Sequence, residues 1–71
     1  MKKYAILPSN ANKTILNYLG IKYQEANTIV FEGDPQDLIH RIANAILTLG
    51  YAHDSAYAYK LAASFFLNEV R

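Results

Sequence analysis

The 71-residue chain contains no cysteine, which excludes disulfides, thiolate metal sites and cysteine nucleophiles. Charge is also scarce, because Asp, Glu, Lys and Arg make up 18% of the residues and the net charge is +1. Nothing in this distribution resembles the concentrated basic patch of a typical nucleic-acid binder. Long apolar runs are missing too, since only four apolar residues separate Lys3 from Pro8. A signal peptide or a membrane-spanning helix needs a longer run, so we expect a cytoplasmic protein.

What the chain has in excess is apolar side chains, which form 52% of the residues. Disorder is therefore not expected, because there is ample apolar mass to bury. A domain of this size has a small interior, and the surplus apolar surface tends to lie at an interface. No repeat or linker divides the chain, so we treat residues 1–71 as one domain.

The first third of the sequence predicts a strand and then a helix. Residues 3–8 are apolar after Lys3 and end at Pro8, as a short buried strand would. Ser9 or Asn10 can cap a helix over residues 10–19, and Gly20 suits its C-terminal end. A strand through residues 13–18 stays open as the alternative, because Thr14 and Ile15 are β-branched.

The middle of the chain predicts a hairpin and a long amphipathic helix. Apolar and polar residues alternate on both sides of Asn27, which is the expected turn residue. Asp34 is a good N-cap, Pro35 fits the first helical position, and Gly50 fits the end. Together with a final helix, these elements predict an α+β domain with a three-stranded, mainly antiparallel sheet and a C-terminal helical hairpin, in the order β-α-β-β-α-α.

The last segment predicts a helix that begins after Asp54 or Ser55 and runs nearly to Arg71. Helical spacing gives it two apolar stripes instead of one. We expect one stripe to face the domain, namely Tyr59, Ala62, Phe66 and Val70. We expect the other to bind a protein partner or a second copy, namely Tyr57, Leu61 and Phe65, although burial in the same domain is the alternative.

The residues with catalytic potential do not form a catalytic site on this reading. His53, Asp54 and Ser55 are adjacent, and neighbours at a helix start point in different directions instead of converging as a triad must. His40 and His53 match no metal-ligand spacing. The sequence therefore predicts no enzyme, no metal site and no cofactor.

These observations lead to a small non-catalytic interaction module of the adaptor or inhibitor type. Self-association as a homodimer through the C-terminal helix is the simplest form, because a dimer covers the same patch twice. The alternative is a small nucleic-acid-associated regulator that uses tyrosines and the N-terminal lysines, namely Lys2, Lys3, Lys13 and Lys22.

Overall fold

A computed structural model describes residues 1–71 as a sheet with helices packed on it. The elements in chain order are β1 (Lys2–Ile6), α1 (Asn10–Leu19), β2 (Tyr23–Glu25), β3 (Ile29–Gly33), α2 (Pro35–Thr48), α3 (Ser55–Ala63), a 3₁₀ turn (Ser64–Phe66) and β4 (Glu69–Val70). The expected α+β class is confirmed, with the helix after the first strand and the helices near the C-terminus.

The sheet has the strand order β2-β3-β1-β4, and each neighbouring pair is antiparallel. The expectation of three strands is wrong, because Glu69 and Val70 pair with Tyr4 and Lys3 and form a fourth. Without α3, the element order is the β-α-β-β-α-β connectivity of ferredoxin-like folds. That connectivity describes the architecture and does not define a function.

Local signals explain where the first two helices begin and end. Residues 10–19 form a helix and not a strand, because the Ser9 hydroxyl accepts a hydrogen bond from Asn12 N and caps the first turn. At the other end Gly20 adopts a positive φ of 71°, and Ile21 N donates to the carbonyl of Leu16. Helix α2 begins as predicted, with the Asp34 carboxylate accepting from Gln36 N.

The hairpin between β2 and β3 is present, but its turn differs from the expected one. No residue other than glycine has a positive φ, so Asn27 does not adopt the left-handed conformation. The turn is closed by a hydrogen bond from Ala26 N to the carbonyl of Thr28.

The C-terminal segment corrects the prediction of a helix running to Arg71, because α3 ends at Ala63. Two adjacent aromatic residues explain the change of direction. The Phe65 and Phe66 rings both pack on Phe31, with ring centroids 6.2 and 5.9 Å from it. The chain then turns so that Ala5 N can donate to the carbonyl of Asn68. Burying both rings and pairing the free edge of β1 outweigh the remaining helical hydrogen bonds.

The core lies between the helices and one face of the sheet and contains no buried polar side chain. Large apolar residues of β1, β3, α1 and α2 fill its centre. Small residues line the contact between α2 and α3, where Ala43, Ala58 and Ala62 are almost completely buried. Such small side chains allow two helices to approach closely.

Candidate functional site

The face of the sheet turned away from the helices has no covering element. Alternation along the two central strands sends Tyr4 and Phe31 into the core and leaves their neighbours on the other side. We call this other side the open face and define it by the residues that β pairing places there: Gln24, Val30, Glu32, Lys3, Ala5 and Val70.

The register of the strands gives the open face a regular pattern. In one row across the sheet, Glu32 lies opposite Lys3, and Lys3 lies opposite Val70. In the next row Gln24 lies opposite Val30, and Val30 lies opposite Ala5. The open face therefore has a small apolar centre, half-buried at Val30 and Ala5, beside an acid and base pair.

A shallow depression of about 410 Å³ lies on this face toward β2. Seven residues line it, namely Lys3, Lys22, Tyr23, Gln24, Val30, Phe31 and Glu32. Glu32 therefore has a lysine on each side, one from the segment before β2 and one from β1. The depression holds charges of both signs, so it has no strong preference for a simple anion or a simple cation.

The three residues predicted to bind a partner differ in solvent exposure. Phe65 is only 3% exposed and packs on Phe31, whereas Leu61 is half-buried and Tyr57 is 49% exposed. The inward side of α3 is centred on Ala58 and Ala62, with Tyr57 and Leu61 on one flank and Tyr59 on the other. The helical wheel missed this centre, because it placed Ala62 in one stripe and left Ala58 out of both.

The stripe expected to face the domain is also divided between core and surface. Ala62 is fully buried, and the Phe66 ring packs edge-on against Tyr4 with centroids 5.1 Å apart. Tyr59, in contrast, is 39% exposed, and its hydroxyl lies 2.7 Å from His40 Nδ1 on α2. Val70 belongs to β4 and lies on the open face. A binding role for Tyr57, Leu61 and Phe65 stays a prediction, with Tyr57 as the most accessible of the three.

The lysines and tyrosines proposed for nucleic acid are dispersed in the fold. Lys2 Nζ lies 3.5 Å from the Glu69 carboxylate, and Lys13 Nζ lies 2.7 Å from the Glu25 carboxylate. Single-stranded RNA binds four-stranded sheets by stacking bases on aromatic side chains of the sheet surface. On this sheet the strand register assigns Tyr4, Phe31 and Tyr23 to the side that the helices cover, and none of the residues that it assigns to the open face is aromatic.

The polar residues around His53 have structural positions. The Asp54 carboxylate accepts a hydrogen bond of 2.8 Å from Tyr57 N and caps α3, and Ser55 is the first residue of that helix. His40 is on α2, where its Nδ1 lies 2.7 Å from the Tyr59 hydroxyl, and His53 lies in the loop before α3. No cluster of three or more potential metal ligands occurs in the structure.

Comparisons with known families, with curated proteins and with solved structures found no match for this chain. None of the three helices has the length and apolar character that crossing a membrane requires.

Sequence reasoning missed the open face as a candidate site. The alternation in residues 28–32 already separated Val30 and Glu32 from Phe31, but alternation does not say which side the helices cover. The fourth strand, which adds Val70 to this face, was hidden in the predicted helix. The signal that could have revealed it is the β-branched Val70 beyond two adjacent phenylalanines.

Proposed function

We propose that this protein is a small non-catalytic protein-binding module that uses the open face of its sheet. The observation that carries the proposal is the one-sided covering of the sheet. Helices pack on the face that bears Tyr4 and Phe31, while Val30, Ala5 and Val70 remain on the face with no cover. Val70 is 39% exposed, and Leu7, directly after β1, is 74% exposed.

The chemistry of the open face suits a folded protein better than a small molecule. Ligand pockets are concave and enclose most of their ligand, with a few converging polar groups. The depression here is shallow, and its side chains stand in rows set by the strand register. A surface with an apolar centre and charged neighbours is the usual arrangement of a modest protein interface.

The C-terminal helix offers a second surface for the same function through Tyr57 and Leu61. Tyrosine is enriched in interfaces because its ring supplies contact area and its hydroxyl a hydrogen bond. With Phe65 in the core, however, this surface has lost one of the two aromatic residues that supported it. The open face is therefore the better-supported surface.

The test compares the unaltered protein with two matched surface variants, Val30→Lys on the open face and Tyr57→Lys on α3. Each is immobilised and exposed to nuclease-treated extract of the source organism, and bound proteins are identified by mass spectrometry. Both variants should remain folded, since each residue is at least partly exposed. Thermal melts followed by circular dichroism check this.

We expect at least one protein, which can be a second copy of this chain, to bind the unaltered protein and Tyr57→Lys but not Val30→Lys. Loss with Tyr57→Lys alone would move the binding surface to α3. If no retained protein distinguishes the three samples, and Val30→Lys also removes no self-association at millimolar concentration, the proposed function is overturned. Nucleic acid recovered from untreated extract in a salt-sensitive manner would favour the nucleic-acid alternative instead.

A further inference from the structure

We propose that the open face binds a second copy of this chain, in a face-to-face dimer whose two-fold axis runs parallel to the strands between β3 and β1. The inference rests on the proposed function and names its partner. The strand order β2-β3-β1-β4 places the centre of the sheet between β3 and β1. A two-fold axis at this line sets β3 of one copy over β1 of the other.

Charge complementarity selects this arrangement. In this description each strand is a column, and the residues opposite one another across the sheet form a row. Rotation about an axis along the strands places each strand over the strand at the mirrored position of the other copy and keeps every residue in its row. Because Glu32 and Lys3 share a row, each Glu32 then faces Lys3 of the other copy, and this happens twice. In the adjacent row Val30 faces Ala5 of the other copy, also twice. The dimer therefore has an apolar centre with two acid and base pairs beside it.

The outer strands fit the same operation. Lys22, which lines the depression beside Glu32, is set over Val70 of the other copy. The aliphatic part of a lysine can cover a valine while its ammonium group stays in water. A two-fold axis across the strands would instead place β3 over β3 and β1 over β1 and reverse the order of the rows. Neither Glu32 nor Lys3 would then face a residue of opposite charge in the other copy. Only the first operation pairs the charges.

The size of the face predicts a weak dimer. The two central strands have five residues each, β2 has three and β4 has two, so at about 4.8 Å between strands and about 3.3 Å per residue the plane covers about 240 Å² per copy. A standard stable interface buries about 800 Å² per partner. We therefore expect a dissociation constant on the order of 0.1–1 mM. Such an affinity requires nuclear magnetic resonance or sedimentation equilibrium at high protein concentration.

The decisive experiment uses two charge-reversal variants, Lys3→Glu and Glu32→Lys. Each variant alone sets like charges against each other at both Glu32–Lys3 contacts of the dimer. Because two attractive charge pairs are lost, its self-association should be at least about 10-fold weaker than that of the unaltered protein. When one ¹⁵N-labelled variant is titrated with the other unlabelled variant, opposite charges meet again. The mixture should associate with nearly the original affinity, and the shifted amides should belong to β1 and β3.

Orientation is tested without altering the charges. The chain has no cysteine, so Gln24→Cys accepts a spin label at one defined position. Mixed with ¹⁵N-labelled unaltered protein, the label on β2 should broaden the amides of Glu69 and Val70 in the other copy. Broadening confined to residues 23–25 would indicate an axis across the strands. This experiment also decides the inference if a charge-reversal variant fails to fold.

The inference is overturned if the unaltered protein stays monomeric at millimolar concentration, if the mixed variants do not associate, or if the shifts map to Tyr57 and Leu61. The proposed function fails only if, in addition, the capture experiment yields no protein that is lost on Val30→Lys. A monomeric protein that still loses a captured protein on Val30→Lys would keep the function and remove the dimer. A dimer that survives Val30→Lys would refute the open face as its interface.

Discussion

Replacing Phe65 by alanine should destabilise the fold by about 3–4 kcal/mol, within the range for a fully buried phenylalanine. The side chain is 3% exposed, and its ring packs against Phe31 with a centroid separation of 6.2 Å. The loss combines the transfer of the ring to water, the cavity left behind and an aromatic contact of about 0.5–1.5 kcal/mol. A chain of 71 residues has a total stability of about 4–11 kcal/mol, so Phe65→Ala removes a large part of it.

Urea unfolding followed by far-ultraviolet circular dichroism measures this loss, with Tyr57→Ala as the matched control. Tyr57 belongs to the same predicted stripe but lies on α3 and is 49% exposed, so its replacement should cost about 1 kcal/mol or less. If Phe65→Ala is too unstable for a full transition, Phe65→Leu should give a smaller loss in the same direction. A loss for Phe65→Ala no larger than that for Tyr57→Ala would refute the core position of Phe65 and restore the predicted surface stripe.

The remaining predictions concern a helix cap, the contact between α2 and α3, and a close approach beneath α2. Asp34→Ala removes the cap on Gln36 N and should lower the free energy of unfolding in urea by about 1 kcal/mol; an unchanged midpoint would contradict the capping role. Ala62→Leu should destabilise by about 1–3 kcal/mol because the site is fully buried, whereas Ala63→Leu on the exposed side should change the thermal midpoint little. Gly33→Ala would place its Cβ against the Leu38 side chain and should lower the thermal midpoint; an unchanged midpoint would show that Leu38 rotates away and that the close approach is not required.

The elements predicted with the right boundaries are those whose signals are local. Asp34 followed by Pro35 starts α2, and Ser9 with Gly20 brackets α1, because caps depend on residues within one turn. The alternative prediction of a strand through Thr14 and Ile15 is wrong, because the helix has a cap at each end. Strand preference is weak compared with a capped amphipathic helix.

The elements predicted wrongly depend on distant partners. Residues 64–70 have helical spacing, but Phe31 and the edge of β1 draw them into a 3₁₀ turn and a strand. Neither partner can be recognised from the local pattern, since both lie more than 30 positions earlier in the chain. The expectation that Phe65 contributes to a binding surface was deduced from a helix that ends at Ala63, and its ring lies 3% exposed against Phe31.

The open face could not be predicted from the sequence, because it also depends on contacts between distant elements. Alternation assigns Val30 and Phe31 to opposite sides, and both sides then contain apolar residues. Which face of the sheet is buried depends on the side to which the connections carry α1, α2 and α3. The amphipathic pattern of the helices shows that each has an apolar face to bury, but it does not identify the face of the sheet that they cover.

The two-residue strand β4 covers the hydrogen-bonding edge of the central strand β1, which would otherwise be free to pair with other strands. β1 is apolar from Tyr4 to Ile6, and its second edge is occupied only by Glu69 and Val70 and by the hydrogen bond from Ala5 N to the carbonyl of Asn68. If trimming by a protease removed the last residues, Lys3 to Ala5 would become an exposed edge able to pair with any other strand. The risk after such a cut is thus aggregation through strand pairing more than a simple loss of stability. A bulky fusion placed directly after Val70 would carry the same risk, because it competes with β4 for its place beside β1.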